Sequence, residues 1–296
     1  MGIATSRNEK KAAGGRPASW GQQQRLEFIE FRLFWEGRLN RSDLIDFFGI
    51  SRPQASLDVA RYIETAPRNI IYDRTQKTYL AGRDFKPAFG PAESSAYLDV
   101  LLASGRSQAN FLGWSPPVEL VNYPSRRVDA SILRQILLAV RERLMLRVEY
   151  QSMNRPESTP REISPHAIAF DGFRWHARAY CHERESFRDF VFARVLKVHR
   201  CSQSSVDPLK DAAWHHVLEL VLAPHPDLTP GQKRAVALDY GMKKDRTVLR
   251  TRCALAFYVL RQLGLDDRGS AAKTQHIVLL NRTEIETLIH DQDPTQ

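Results

Sequence analysis

The chain has 296 residues, a hydrophobic content of 43% and a formal net charge of +9. This length allows two or three small domains, and no apolar run approaches the roughly 18 residues that a membrane-spanning helix needs. The positive charge favours nucleic acid or another polyanion as a partner. The three cysteines, Cys181, Cys201 and Cys253, lack CxxC spacing, which argues against a disulfide framework and a structural zinc site. Because no apolar signal segment follows Met1, we expect a cytoplasmic protein with no membrane partner.

The N-terminal part begins with a polar segment and continues with a helix. Residues 1–18 are rich in glycine, lysine and arginine and lack periodicity, which predicts a disordered basic arm. Leu26, Ile29 and Leu33 follow helical spacing, so we expect a first helix over about residues 20–36. Gly37 is placed to end it.

The next segment has the order of a helix–turn–helix. Ser42 is a candidate N-cap for a short helix, and Ser51 for a second helix with Pro53 in its first turn. Leu57, Ala60 and Val59 are expected to face the core. The side chains expected to face outward, toward a major groove, are Arg52, Gln54, Ala55, Ser56 and Arg61. An ordinary helical hairpin is the alternative interpretation.

A predicted hairpin over residues 70–80 favours DNA binding, because it would supply a wing after the second helix. Its polar tip carries Arg74 and Lys77. Residues 19–85 would then form a winged helix-turn-helix domain, in which Arg52 could read guanine and Gln54 adenine. The residues expected to contact DNA are Arg41, Ser51, Arg52, Gln54, Ala55, Ser56, Arg61, Arg74 and Lys77.

Residues 86–128 are interpreted as a connector, and residues 129–206 as a second domain. Asp129 is expected to cap an amphipathic helix. The buried stripe predicted for that helix comprises Ile132, Leu133, Ile136, Leu137 and Val140. Strands are expected at residues 144–151, 160–170, 173–181 and 187–195, so that a helix would lie against a small bent sheet.

The Asp171-Gly172 pair predicts a tight hairpin turn, and the strand after it has two different faces. Alternation places Trp175, Ala177, Ala179 and Cys181 on an apolar face. Arg174, His176, Arg178 and Tyr180 would lie on the other face, which we expect to meet solvent or an anion. Between Arg126 and Arg200 there are fifteen basic and nine acidic residues, and fourteen of the fifteen are arginine, the better planar partner for phosphate.

These features predict a pocket for an anionic ligand. Its candidate residues are Tyr150, Ser152, His166, Arg174, His176, Arg178, Arg188 and Arg194. We expect Arg188 and Arg194 to share one strand face, because they are an even number of positions apart. The alternatives are that the arginines pair with Glu183, Glu185 or Asp189, and that the two histidines belong to the core.

Residues 207–296 predict a small α+β module, with strands near 218–222, 248–251 and 276–280 and helices near 230–240 and 254–263. We expect this C-terminal extension to mediate dimerisation. The chain contains no GxSxG, Walker, HExxH or dinucleotide-binding motif, so we predict no catalytic residue, no metal site and no cofactor.

The segments Pro165-His166, 172–181 and 190–195 together resemble a WYL domain, although Trp175-His176-Ala177 stands where Trp-Tyr-Leu gives that domain its name. With the preceding winged helix-turn-helix and the C-terminal extension, the chain resembles WYL-domain bacterial transcription regulators over essentially its whole length. The variant strand is similar to the BrxR and CapW subgroup found beside phage-defence operons. The resemblance implies an α+β multidomain fold with an Sm-like bent β-sheet and a small α+β dimerisation module.

The leading hypothesis is a sequence-specific transcriptional regulator, a repressor of a phage-defence operon. The resemblance implies a homodimer on double-stranded operator DNA, controlled by an oligonucleotide or a nucleotide-like anion in the WYL domain. The alternative is an accessory protein that binds nucleic acid without reading an operator and modulates a nuclease or helicase. A hydrolase acting on nucleic acid is a third hypothesis.

Overall fold

The structure is a computed structural model that describes residues 20–104, 112–121, 124, 127–266 and 275–292. Contacts divide the chain into a first unit, Met1–Tyr123, and a second unit, Pro124–Gln296. The predicted basic arm and part of the connector lie outside the described residues. Among the described helices, none is both long enough and apolar enough to cross a bilayer.

The first unit begins with three helices. These are α1 (Trp20–Glu36), α2 (Arg41–Phe48) and α3 (Arg52–Thr65). The prediction that Ser42 caps α2 is wrong, because the helix begins earlier: Asn40 is the N-cap, and its backbone N–H donates to the Asp43 carboxylate at 2.7 Å. Ser51 caps α3 as predicted, accepting a hydrogen bond from the backbone N–H of Gln54.

The orientation of α3 differs from the prediction. Ala55 is completely buried in the core of this unit, whereas Leu57 and Ala60 are exposed. The reason is Asp58, a polar residue that is nonetheless buried, because its carboxylate pairs with Arg25 at 2.6 Å. This ion pair rotates the buried stripe onto positions 55, 58, 59 and 62, which follow the i, i+3, i+4, i+7 spacing of one helix face.

A hairpin follows α3. β1 (Arg38–Leu39), β2 (Ile70–Asp73) and β3 (Thr78–Ala81) form a sheet in the order β1-β3-β2. The Asp73 carboxylate fixes the turn, since it accepts hydrogen bonds from the backbone N–H groups of Thr75 and Gln76 at 2.8 and 3.0 Å. A further helix, α4 (Ser94–Ser104), lies in the predicted connector.

The second unit starts with α5 (Ala130–Glu142), which packs on a bent sheet in the order β7-β6-β5-β4-β8. The strands are β4 (Leu144–Tyr150), β5 (Thr159–Phe170), β6 (Trp175–Cys181), β7 (Ser186–Val191) and β8 (Val195–Gln203). Asp129 caps α5 as predicted, accepting from the backbone N–H of Ser131 at 2.8 Å. Leu137, expected in the buried stripe, is instead exposed.

The expected strand over residues 187–195 is interrupted. The chain leaves β7 after Val191 and forms a short 3-10 helix, Phe192–Arg194, before β8 begins at Val195. The prediction that Arg188 and Arg194 share one strand face is therefore wrong, because strand alternation does not continue through the 3-10 turn. β8 pairs with β4 and was not predicted.

The C-terminal part of the second unit is an α+β module. Its elements are α6 (Ala212–His215), β9 (Val217–Pro224), α7 (Pro230–Asp239), β10 (Thr247–Arg252), α8 (Ala256–Gln262), β11 (Ile277–Leu279) and α9 (Arg282–Gln292). The strands form an antiparallel sheet in the order β10-β9-β11. Leu218, Leu220 and Leu222 point from β9 into a core that includes Leu260 and Ile277.

Candidate nucleic-acid interface and anion pocket

The solvent-facing side of α3 carries charged and small side chains around one leucine. Arg52, Leu57 and Arg61 are exposed and Ser56 is half-buried. Gln54 lies at the border of this face, and its side-chain amide donates to the Asp58 carboxylate at 3.1 Å. Of the residues predicted to contact DNA from this helix, only Ala55 is buried in the core; the expectation that it faces outward is wrong.

The tip of the hairpin presents two cations. Arg74 and Lys77 are exposed in the turn between β2 and β3. Arg41 differs from them, because it is half-buried: its guanidinium lies 5.2 Å from the centre of the Tyr79 ring and donates to the Tyr79 hydroxyl. The contact holds Arg41 against the hairpin, whereas Arg74 and Lys77 are free to reach a phosphate backbone.

A cavity of about 490 Å³ opens on the sheet of the second unit. It contains five of the predicted ligand-binding residues, which are Tyr150, Ser152, Arg178, Arg188 and Arg194. It also contains residues that the sequence interpretation missed, namely Arg155, Arg161, Arg184, Phe257 and Tyr258. Arg155 lies in the loop that joins β4 to β5, Arg161 near the start of β5 and Arg184 in the β6–β7 turn. The two aromatic residues come from α8.

The cavity holds more positive charge than its own carboxylates neutralise. Glu183 contacts both Arg155 and Arg161. Within the described part of the chain, no carboxylate pairs with Arg184, Arg188 or Arg194. Burial lowers the pKa of Arg161, and the neighbouring Arg155 and Arg184 guanidiniums lower it further, as expected where cations are crowded. This region has the charge and the donors that an anion requires.

Arg178 is the cavity arginine with the most complete set of partners. Its Nε and Nη2 atoms donate to the two oxygens of Asp211 at 2.8 and 3.0 Å, and Nη1 donates to Asp189 at 3.3 Å. The Tyr258 hydroxyl donates to the other Asp189 oxygen at 2.9 Å. Arg178 is 2% exposed. The expectation that this face of β6 meets solvent or an anion is therefore wrong at Arg178, because carboxylates of the protein cover it.

The Asp211 carboxylate of this network is stabilised as an anion. Burial by itself would raise the pKa of Asp211, but hydrogen bonds from His166 and Arg178 outweigh burial and lower the pKa to about 2. Burial and the adjacent Asp189 carboxylate raise the pKa of Tyr258 above its ordinary value, so this phenol remains a hydrogen-bond donor.

The three remaining predicted ligand residues lie outside the cavity. The His166 ring is 2.9 Å from the Asp211 carboxylate. Arg174 and His176 both contact Asp171, at 2.9 and 3.0 Å. These contacts favour the alternative of buried or partly buried structural pairs for all three side chains. Elsewhere in the described residues, no group of three His, Cys, Asp or Glu side chains is placed to hold a metal ion.

Three protein-family models match successive parts of the chain. They are the BrxR transcriptional regulator winged helix-turn-helix domain over residues 21–103, the WYL domain over 131–200 and the BrxR transcriptional regulator C-terminal dimerization domain over 217–285. Together they confirm the predicted fold class of winged helix, WYL domain and C-terminal dimerisation module.

Curated relatives match the chain over nearly all of its length. A protein of Stenotrophomonas maltophilia named DNA-binding transcriptional repressor CapW is 43% identical over 97% of this chain and 98% of its own. Proteins of the same name from Pseudomonas aeruginosa and from Escherichia coli strain KTE188 are 41% and 39% identical, covering 95% and 93% of this chain and 96% and 94% of their own. The chain therefore belongs to the family of WYL-domain transcriptional regulators that includes BrxR and CapW.

Proposed function

We propose that the protein is a homodimeric, non-enzymatic repressor that acts in the cytoplasm on the operator of a phage-defence operon. An anionic ligand, an oligonucleotide or a nucleotide-like molecule, would bind in the arginine-lined cavity and control operator binding. The relatives named DNA-binding transcriptional repressors support the first part. The observation that carries the second part is the set of cavity arginines, Arg184, Arg188 and Arg194, without carboxylate partners in the described chain.

The winged domain supports operator binding through its exposed groups. Arg52, Ser56 and Arg61 on α3 are accessible for contacts in a major groove. Arg74 and Lys77 would bind phosphates, which adds affinity without adding sequence preference. One helix covers too few base pairs for genomic specificity, so the C-terminal module would join two copies on an inverted repeat with half-sites about 34–36 Å apart, or a multiple of that distance.

The cavity also supports a route from ligand to dimer. Phe257 and Tyr258 form one wall, and both lie on α8 of the C-terminal module. Phe257 is half-exposed, which leaves an aromatic surface available to a nucleobase while the arginines take phosphates. A ligand that contacts both the sheet and α8 would favour one arrangement of these two elements over another. For the ligand to release DNA, it must bind more tightly to the arrangement that is incompatible with DNA binding.

The test is a fluorescence-anisotropy titration and a footprint on the intergenic DNA upstream of the protein's own gene. We expect a discrete inverted-repeat footprint, and weaker binding when a short oligothymidylate or inorganic polyphosphate is added at constant ionic strength. Diffuse binding without a footprint would favour the accessory-protein alternative. Cleavage of the DNA on addition of Mg²⁺ would favour the hydrolase alternative.

A further inference from the structure

Leu57 is an unusual side chain for its position on α3. It is 57% exposed and lies near the centre of the helix face opposite the buried Ala55, Val59 and Tyr62. Isolated exposed leucines are common on protein surfaces, so exposure alone decides nothing. The position matters here, because this is the helix face that the proposed function directs into a major groove.

Leu57 is the more exposed of the two large apolar side chains that α3 leaves exposed, the other being Ile63. On the helix surface, the positions three and four residues from Leu57 are Pro53, Gln54, Ala60 and Arg61. Pro53 and Ala60 are short, and the Gln54 amide is held by the Asp58 carboxylate at 3.1 Å. Small side chains let a helix backbone approach another surface closely, and the leucine side chain then extends beyond them. Arg61 can hold the adjacent phosphate backbone while Leu57 reaches deeper.

We propose that Leu57 reads thymine by packing on its C5 methyl group in the major groove. Thymine is the base that presents a methyl group there, so an apolar side chain at the groove floor discriminates thymine from cytosine without any hydrogen bond. This inference rests on the proposed function and names a specificity-determining residue within it. The sequence pattern predicts a core position for Leu57 and therefore no role in DNA recognition.

The experiment replaces thymine by deoxyuridine, which removes only the methyl group. Each thymine of the footprinted repeat is replaced in turn, symmetrically in both half-sites, and the dissociation constant is measured for the wild type and for Leu57→Ala. Burial of one methyl group corresponds to about a fourfold change in affinity per half-site, and so to about fifteenfold for two. We expect this loss at one thymine position with the wild type, and no further loss there with Leu57→Ala.

Leu196→Ala is the matched control, since Leu196 is a leucine of similar exposure on β8 of the second unit. This variant should keep the full deoxyuridine penalty. Leu57→Met, which retains an apolar tip, should keep most of it, and thermal melts of each variant verify folding. The inference is overturned if Leu57→Ala retains the wild-type penalty, if no thymine methyl matters, or if the variant changes only the oligomeric state. A wild type without any discrete footprint would instead refute the proposed function itself.

Discussion

Arg178 and Arg194 line the same cavity but differ in the charges that surround them. Arg178 is buried and donates to Asp211 and Asp189, so its charge is balanced within the protein. Arg194 is half-buried at the end of a 3-10 helix, and no described carboxylate pairs with it. Breaking a buried ion pair leaves an uncompensated charge, whereas removing an unpaired cation at a cavity mouth costs little stability. We therefore expect substitution of Arg178 to lower stability, and substitution of Arg194 to lower ligand affinity with little effect on stability.

For Arg194→Gln we expect normal folding and weaker binding of a short oligothymidylate, with operator affinity unchanged in its absence. If Arg194 holds one phosphate, its loss reduces the slope of log K against log salt by about 0.7 for a single strand. A thermal melt and a salt series of anisotropy titrations measure the two effects. The comparison is Arg178→Gln, whose main effect should be a lower melting temperature. Full ligand affinity in Arg194→Gln would remove this residue from the proposed site.

Asp211 pairs with both Arg178 and His166 in the buried network. Asp211→Asn leaves the Arg178 charge with Asp189 alone, and we expect the free energy of unfolding at pH 7 to fall by about 3–5 kcal/mol. Urea unfolding followed by circular dichroism measures it. The control is Glu219→Gln, which breaks an exposed pair with Arg250 and should cost less than about 1 kcal/mol. Equal effects of the two substitutions would contradict the assignment.

The Asp211 carboxyl should also make the free energy of unfolding depend on pH in the acid range. Its pKa is about 2 in the folded state and ordinary, near 3.8, in the unfolded chain. A lowered folded pKa contributes stability above the unfolded value, and that contribution is lost as pH falls from about 4 toward 2. The wild type should therefore lose more unfolding free energy over this range than Asp211→Asn does. If the unfolding free energies of the wild type and of Asp211→Asn fall in parallel with pH, another group determines the acid sensitivity.

At the scale of single elements, the hairpin and α3 contribute different kinds of DNA contact. Lys77 is exposed at the hairpin tip. Lys77→Ala should therefore weaken binding to operator DNA and to random DNA by the same factor, and reduce the slope of log K against log salt by about 0.9 per lost contact. Lys197→Ala, which removes the same charge from an exposed position on β8, should leave both affinities near the wild-type values. A Lys77→Ala variant with altered operator preference would show that the hairpin reads bases.

The sequence predicts an element well where its core face is continuous and apolar. α5 begins directly after its predicted cap, Asp129, and α1 ends at Glu36, before Gly37, as its periodicity indicates. The orientation of α3 could not be predicted, because its buried Asp58 depends on Arg25, thirty-three positions earlier. The same limit applies to the cavity: Asp211 and Tyr258 are far from β6 in the chain, and no local pattern shows that they would cover Arg178.

At the scale of the second unit, the WYL sheet and the C-terminal module share one buried polar network. Asp211 belongs to the module, yet it binds Arg178 and contacts His166 on the sheet. A chain truncated near Asp207 would lose this carboxylate and expose the charge of Arg178, so loss of dimer after truncation would not by itself locate the interface. A point substitution on the module surface tests dimerisation without disturbing the network.

Val248 provides that substitution. It lies on β10, an edge strand of the β10-β9-β11 sheet, and is 51% exposed in the single chain. The side chain of its neighbour Leu249 is also exposed. If a second copy packs on this strand, Val248→Asp places two carboxylates near the two-fold axis. The dimer dissociation constant should then rise at least tenfold, because the buried valine it replaces contributes about 1.5–3 kcal/mol in each subunit. Light scattering across a concentration series measures it, with Leu209→Asp as an exposed control. Operator affinity should fall in parallel, since each half-site alone binds weakly. A Val248→Asp protein that stays dimeric would move the interface to another surface.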